Sequence, residues 1–305
     1  MSLLAAIARH ADGPAPVVRV AAEAMATRFE IALHGARPEA LRAAAEEALN
    51  EVARVERWLS PYLPASCLAR IHREAHRRPV AVEPPVFQFL CLVQDLVQAT
   101  GGAFDPTVGP LLRAWGFHGG DPVAPDPAAI DRAYSLVGWR HVQLDPSARS
   151  VWLARPGVEI HPGAIGKGWA LDRAAEILRE CGVDSALLHG GTSTVVAMGT
   201  PPGLPAWRVA LPGAPDSSMH DAVVDLRDET LSVSAAWGRS IHGPAHVIDP
   251  RTGQPVAAGR LAAVALPSAA ASDAWSTALL VDSHGIPQRL DSRHPGARWW
   301  NSARV

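Results

Sequence analysis

The reading of this chain turns on "HPGAIGKGWALD", His161 to Asp172. A nucleotide-binding loop of the form G-x-x-x-x-G-K-[ST] needs its spacing: the backbone amides wrap a phosphate and the hydroxyl after the lysine reaches a metal. Here Gly163 and Gly166 stand too close together, and Gly168 occupies the hydroxyl position. A nucleoside-triphosphatase loop is therefore excluded. The remaining features are glycines that allow close backbone approach, a helix expected from Trp169 with its positive N-terminal end, and the charge of Lys167, a combination suited to a diphosphate. Read alone, the same residues also describe a strand-to-helix turn whose lysine faces water.

Outward from this stretch, the pattern gives an α+β class. "RFEIALHG" alternates like a strand, and Pro38 opens a helix with Leu41, Ala45, Leu49, Val52, Val55 and Leu59 on one stripe. A second helix, "PVFQFLCLVQDLVQATGG", carries Val86, Leu90, Val93 and Val97 and stops at Gly101 and Gly102, residues able to take a left-handed cap. "GGDPVAPDPAA" reads as a loop. Beyond it, "SVWLA", "SALLHGG", "TVVAMG", "AWRVAL", "AVVDL", "LSVSAA" and "LAAVALP" read as short strands, with helices expected at Trp169–Cys181 and Asp273–Val281. Strands and helices partly segregate, which favours mixed or antiparallel sheets with packed helices over strict βαβ alternation. The expected organisation is a poorly ordered leader over 1–20, one domain over 21–285 and a C-terminal tail over 286–305.

With 305 residues, 48% hydrophobic and 19% charged, the chain can bury a substantial core. A net charge of −2 without long basic blocks argues against nucleic acid or a polybasic membrane surface. Cys67, Cys91 and Cys181 show no C-x-x-C pairing and are expected as reduced core residues. The start lacks a basic leader, a long enough apolar segment or a lipidatable cysteine, so the expected location is cytoplasmic; no stretch approaches the roughly 20 apolar residues of a transmembrane helix.

Three further stretches carry chemistry. In "SDAWSTALLV", a helix capped by Ser272 places Asp273 and Thr277 on one face, a carboxylate and a hydroxyl that suit magnesium; Asp273 is equally a dipole-friendly residue at a helix start, with little weight in stability. In "AHVIDPRTGQP", His246 and Asp249 lie on an expected strand entering a Pro-Arg-Thr-Gly turn, where either could serve as a base or as a hydrogen-bonded structural residue. In "GGAFDPTVGPLLRAWGF", Phe104 and Trp115 offer flat faces and Asp105 an acceptor, suited to a flat heterocycle or to a well-packed loop.

Taken in order, these stretches resemble the ApbE family of FAD:protein FMN transferases, from Met25 to about Val281. The family's M-G-T stands as Met25-Ala26-Thr27, its S-x-Y as Ser60-Pro61-Tyr62, and its G-G-A-F-D-P-T-V-G-P-L is unchanged from Gly101 to Leu111. Its D-L-G-A-I-A-K-G corresponds to His161–Gly168, its H-I-I-D-P-x-T-G to His246–Gly253, and its A-D-x-x-x-T to Ser272, Asp273 and Thr277. The resemblance implies an ApbE-like fold with a flavin cleft between its halves. It also implies an enzyme that takes FAD as substrate with Mg2+ and moves FMN onto a threonine or serine of an acceptor protein, releasing AMP. Lys167 and nearby glycines would hold the diphosphate. The Ala164 carbonyl, Asp273 and Thr277 would hold the metal. Met25, Tyr62, Ala103, Phe104, Asp105, His161 and Ile248 occupy cofactor-contact positions, and His246 or Asp249 would assist deprotonation of the acceptor hydroxyl. FAD hydrolysis to FMN and AMP, and flavin binding without catalysis, are the alternatives.

The chain departs from the family at three places. His161-Pro162 replaces the acidic start of D-L-G-A, Thr192 follows Gly190-Gly191 where the family has G-G-D, and Ser234-Ala235-Ala236-Trp237 replaces S-G-x-Y. Many family members are exported lipoproteins, in contrast to the location expected here.

Overall fold

The computed structural model describes residues 18–117, 126–211, 222–236 and 247–302. Its elements, in chain order, are β1 (Val18–Ala24), β2 (Thr27–His34), α1 (Pro38–Leu59), α2 (Cys67–Glu74), β3 (Val80–Ala81), α3 (Pro84–Ala99), α4 (Gly109–Ala114), α5 (Pro127–Tyr134), β4 (Val142–Asp145), β5 (Ser150–Leu153), α6 (Gly166–Glu180), β6 (Ser185–Gly190), β7 (Thr194–Met198), β8 (Trp207–Leu211), β9 (Ala222–Leu226), β10 (Glu229–Ala235), β11 (Leu261–Leu266), α7 (Ala269–Val281), α8 (Ile286–Arg293) and β12 (Arg298–Asn301).

Alternation builds the central layer. A seven-stranded sheet runs in the order β1-β2-β6-β7-β10-β11-β12, beside a three-stranded sheet β3-β5-β4 and the hairpin β8-β9. Every strand pairing among the described residues is antiparallel. Because strand side chains alternate between faces, Phe29, Ile31, Ala186, Leu188, Val196 and Val264 meet the helices in one core. Their neighbours Leu187, Val195, Leu231, Val233 and Ala263 form a second core under Trp207, Val209 and Leu226 of the hairpin. The result is three layers: helices, sheet and hairpin, each burying one apolar face.

The amphipathic stripe predicted for α1 is buried as expected, and so is that of α3, which ends at Gly101 and Gly102 with φ of 61° and 79°. One polar residue joins the stripe of α1. Glu51, fully buried, accepts two hydrogen bonds from Arg173 of α6 (3.0 and 2.8 Å), pairing the charge that its burial demands.

Several expectations are corrected. The 286–305 tail carries α8 and β12, and β12 pairs with β11 from Ala262↔Asn301 to Ala265↔Arg298, so this segment completes the main sheet. The leader over 1–20 ends in β1, which pairs with β2 from Val18↔Leu33 onward. The loop read over 119–129 gives way to α5 at Pro127, capped by the Asp126 carboxylate on the Ala128 amide. Cys181 is exposed at the end of α6 and not in the core; all three cysteines are free, with Cys67 and Cys91 half-buried. No described helix is long and apolar enough to cross a membrane.

The starts of α6 and α7 are also earlier than expected, and they depend on each other. Helix α7 begins at Ala269, capped by Ser268 and not by Ser272. The Asp172 carboxylate of α6 accepts the Ala269 amide at 2.7 Å, the Ala270 amide at 2.9 Å and the Ser268 hydroxyl at 2.8 Å, satisfying donors that a helix start leaves open. Burial nevertheless pushes the Asp172 carboxyl above its ordinary range. At Gly168 the two backbones touch: a Cβ there would lie 2.2 Å from the Ala269 carbonyl oxygen and 2.8 Å from Ala270 Cα. Glycine is therefore required for approach.

Helix α2 holds the segment that leads into α6, because His72 Nε2 accepts the Ile160 amide at 2.9 Å. Burial lowers the His72 pKa from 6.5 to about 4, opposed by the nearby Glu159 carboxylate.

Two outcomes follow for stability. Gly168→Ala, which forces α6 and α7 apart, is expected to lose about 1–3 kcal/mol or more in denaturant titration. Between pH 6.5 and about 4 the unfolded chain protonates His72 and the folded chain does not. Stability is thus lost as pH falls through that window, by up to about 3 kcal/mol from this group. His72→Gln, which keeps an acceptor for Ile160, should flatten this part of the acid limb relative to wild type in urea titrations at pH 7 and 4.5. An unaltered limb would assign the acid sensitivity to other groups.

Candidate functional site

The buried carboxylate at the helix–sheet seam is that of Asp273. Its earlier helix start leaves it in the second turn of α7 and not at the N-terminus, 3% exposed and beside β10 and α6. Oδ1 accepts the Ser232 hydroxyl at 2.6 Å and the Thr194 hydroxyl at 3.1 Å, while Oδ2 accepts the Gly168 amide at 3.2 Å. Lys167 Nζ lies 4.0 Å from Oδ2. The expectation that Asp273 weighs little in stability is therefore corrected: three donors from three elements converge on it. Its position by the first turn of α6 is favourable for a carboxylate.

One turn along α7, Thr277 shares this face. Its hydroxyl is 3.1 Å from Ser234 Oγ, which also lies 2.9 Å from Ser276 Oγ. Asp273 and Thr277 thus face successive inward positions of the same strand. The carboxylate and hydroxyl, with the carbonyls of the Pro162–Ala164 3-10 helix that precedes α6, are hard oxygens of the kind magnesium takes.

A connected path leads from this floor to the surface. Lys167, 25% exposed, donates to the Gly163 carbonyl at 3.3 Å. The Gly163 amide donates to His161 Nδ1 at 3.3 Å. On the other side of that ring, Nε2 lies 3.5 Å from the Tyr62 hydroxyl, with the two rings edge-on at 6.4 Å. Tyr62 is 69% exposed and Leu63 beside it 42%. Their loop is fixed at its root, where Ser60 Oγ accepts the Tyr62 and Leu63 amides and the Ser66 hydroxyl donates to the Ser60 carbonyl. Lys167, remote in sequence, is brought to one seam with Asp273 and Thr277. Ala164, half-buried, lies in the same 3-10 helix as Gly163.

The Gly101–Leu111 stretch serves chiefly as a frame. Ala103 and Phe104 are buried in the main core, so the ring expected to offer a flat face is enclosed by protein. Asp105 is buried and accepts the Thr107 amide (2.9 Å) and hydroxyl (2.7 Å) and the Trp139 amide (2.8 Å). Burial pushes its carboxyl up, and these donors pull it back. The frame touches the site through Pro106, whose carbonyl accepts the His161 amide at 2.6 Å.

Met25 and Ala26 form the two-residue turn between β1 and β2, with φ of 51° and 56°. Both adopt a left-handed conformation that side chains disfavour, and the strain is held by α1: Glu56 Oε1 accepts the Met25 amide at 2.8 Å. Ile248 is 4% exposed against the Leu111, Leu112, Ala133 and Val137 cluster.

Of the two expected bases, His246 lies outside the described residues. Asp249 opens a turn closed by its carbonyl on the Gly253 amide at 2.8 Å. Its carboxylate is taken by Arg251, through Nε on Oδ1 and Nη2 on Oδ2, both at 3.0 Å. These bonds raise the Arg251 pKa further above its ordinary value. Of the expected strand leading into this turn, the described residues form an isolated bridge between Ile248 and Pro255.

Sequence reading misses Ser232, Thr194 and Glu56, and reaches Ser234 only as part of the stretch that departs from S-G-x-Y. A signal existed for the serines: "ETLSVSA" places Thr230, Ser232 and Ser234 at period two within a buried strand, a polar stripe that needs partners on one face.

Comparison with known proteins agrees with this architecture. The ApbE family model matches residues 25–297. A Klebsiella pneumoniae protein named FAD:protein FMN transferase is 31% identical over 274 residues, spanning 84% of this chain and 76% of that protein. A Salmonella typhimurium protein of the same name is 30% identical over 239 residues, 73% of this chain and 67% of its own. Among solved structures, the ApbE protein of Thermotoga maritima superposes with a TM-score of 0.81 at 26% identity, over 92% of this chain and 93% of the other. The Vibrio cholerae flavin transferase ApbE shares the fold, with a TM-score of 0.80 at 22% identity, over 94% of this chain and 97% of the other. The match of the family model across most of the sequence places this chain in the ApbE family.

Proposed function

We propose that this chain transfers the FMN half of FAD to a threonine or serine hydroxyl of an acceptor protein and releases AMP. The observation that carries the reading is the convergence of Lys167, Gly168 and Asp273, with Thr277 one turn away, at a single seam in a chain of this family. The acceptor oxygen forms a bond to the FMN phosphorus, and the bond from that phosphorus to the bridging oxygen breaks. The bridging oxygen leaves with AMP, and the hydroxyl proton passes to a base. Since Asp249 is held by Arg251, His246 is the preferred base.

The residues fit a divalent cation. Asp273 is a buried carboxylate whose neighbours are neutral donors and one lysine, and Thr277 and the Ala164 carbonyl would complete a set of hard oxygens. Bound there, Mg2+ would supply charge neutralisation at the diphosphate. Lys167 would bind the same diphosphate as a point charge, oriented by its bond to the Gly163 carbonyl. The low exposure of Asp273 keeps water from its carboxylate and strengthens its field.

The reading is tested by incubating the protein with FAD, Mg2+ and a panel of candidate acceptors, then following covalent flavin fluorescence on denaturing gels together with AMP release. Labelling coupled to AMP is expected, and its loss in Asp273→Asn. AMP release unaffected by any acceptor would instead make the chain a FAD hydrolase. Tight FAD binding without turnover would make it a flavin-binding protein.

Lys167→Ala is expected to weaken FAD binding by about tenfold or more, the loss of one charged hydrogen bond of roughly 1.5–3 kcal/mol, and to leave riboflavin binding nearly unchanged. Fluorescence quenching titrations read both. Equal losses would move Lys167 away from the diphosphate.

A further inference from the structure

We infer that Ser232 is a positioning residue for Asp273, anchoring one carboxylate oxygen to the sheet and turning the other toward Lys167 and the start of α6. This inference rests on the proposed role of Asp273 as a metal ligand. Ser232 is fully buried on β10, and its hydroxyl donates to Asp273 Oδ1 at 2.6 Å. Thr194 is paired with Ser232 across the β7–β10 ladder and is also fully buried; its hydroxyl donates to the same oxygen at 3.1 Å. Two hydroxyl protons thus converge on Oδ1. The second oxygen, Oδ2, faces the Gly168 amide at 3.2 Å and Lys167 Nζ at 4.0 Å, the side where the α6 terminus and the 3-10 carbonyls meet.

The match between strand and helix makes this orientation rigid. Two strand residues advance about 6.6–6.8 Å, and four helical residues advance about 6 Å. Ser232 therefore meets Asp273 while Ser234, two residues on, meets Thr277 at 3.1 Å. Thr230 is also tied to α7, its hydroxyl 2.6 Å from Ser272 Oγ, one residue before Asp273. A carboxylate free to rotate would present either oxygen. With Oδ1 fixed by two buried hydroxyls, only Oδ2 is directed toward Lys167.

The test is a Mn2+ titration of the full chain with FAD, read from the EPR signal of free Mn2+, alongside FAD affinity without metal, read from flavin fluorescence. Ser232→Ala is expected to weaken Mn2+ binding by about 10- to 100-fold, the usual effect of removing a group that orients a metal ligand, with metal-free FAD affinity unchanged. Ser232→Thr, which keeps the hydroxyl, should restore most of the loss. Should Ser232→Ala fail to fold, Thr194→Val removes the other donor to the same oxygen and is judged by the same criterion. Wild-type Mn2+ affinity in the variant, or parallel losses of Mn2+ and metal-free FAD binding, overturns the positioning role. If Asp273→Asn abolishes Mn2+ binding in that same series, the ligand reading survives this failure. If Asp273→Asn binds Mn2+ like wild type, or wild type binds none, the ligand reading falls and the positioning role with it.

Discussion

The site depends on one backbone crossing, that of α6 over the start of α7 at Gly168. Side chains normally hold packed helices 8–10 Å apart, but here an added Cβ would lie 2.2 Å from the Ala269 carbonyl oxygen. The crossing is secured by an exchange of carboxylates. Asp172 of α6 satisfies the first amides of α7, and Asp273 of α7 accepts the Gly168 amide at the start of α6. Each helix therefore supplies the acceptor that the other's terminus requires. The same exchange places Lys167, the neighbour of Gly168, 4.0 Å from the Asp273 carboxylate.

The polar stripe on β10 is the energetic counterpart of that crossing. Hydroxyls buried in an apolar layer cost free energy unless they are bonded, and a buried carboxylate costs more. Thr230, Ser232 and Ser234 each find a partner on α7, and Asp273 collects donors from β7, β10 and α6. The elements that neutralise one another's desolvation cost are those that fix the site geometry. Replacing Asp273 would leave the Ser232 and Thr194 hydroxyls and the Gly168 amide without their acceptor, so stability and chemistry are coupled at this residue.

Much of the frame was legible in the sequence, because periodicity is local information. The stripe of α1 follows from Leu41 to Leu59, and the stop of α3 from Gly101 and Gly102; the strands after residue 150 follow from their alternation. The unbroken stretch from Gly101 to Leu111 and the ordered motifs identified the family. What was not legible depended on partners remote in sequence. The start of α7 was misplaced because Ser272 before Asp273 resembles a cap, whereas the cap at Ser268 is completed by Asp172, 96 residues away. β12 reads as a tail because "RWWN" is short and its identity comes from pairing with β11. Ser232 reads as one more strand residue, because its partner Asp273 lies 41 residues away on α7.

The burial gradient gives the departure at His161 its place in the site. The floor is nearly closed: Asp273 is 3% exposed, and Ser232 and Thr194 are fully buried. The rim is open at Tyr62, which is 69% exposed. His161 lies between them, one ring nitrogen accepting the Gly163 amide and the other 3.5 Å from the Tyr62 hydroxyl. A carboxylate at this position could accept the Gly163 amide as His161 does, but it would add negative charge near the proposed diphosphate, which Lys167 would then have to offset. An imidazole keeps the amide contact without that charge and gives the rim a ring edge that meets Tyr62. A reaction whose acceptor is another protein suits this asymmetry, with a buried carboxylate at the bottom and a surface that a macromolecule can reach at the top. His161 thus joins the fixed charge below to the accessible rim above, through the Gly163 amide on one ring nitrogen and the Tyr62 hydroxyl beside the other.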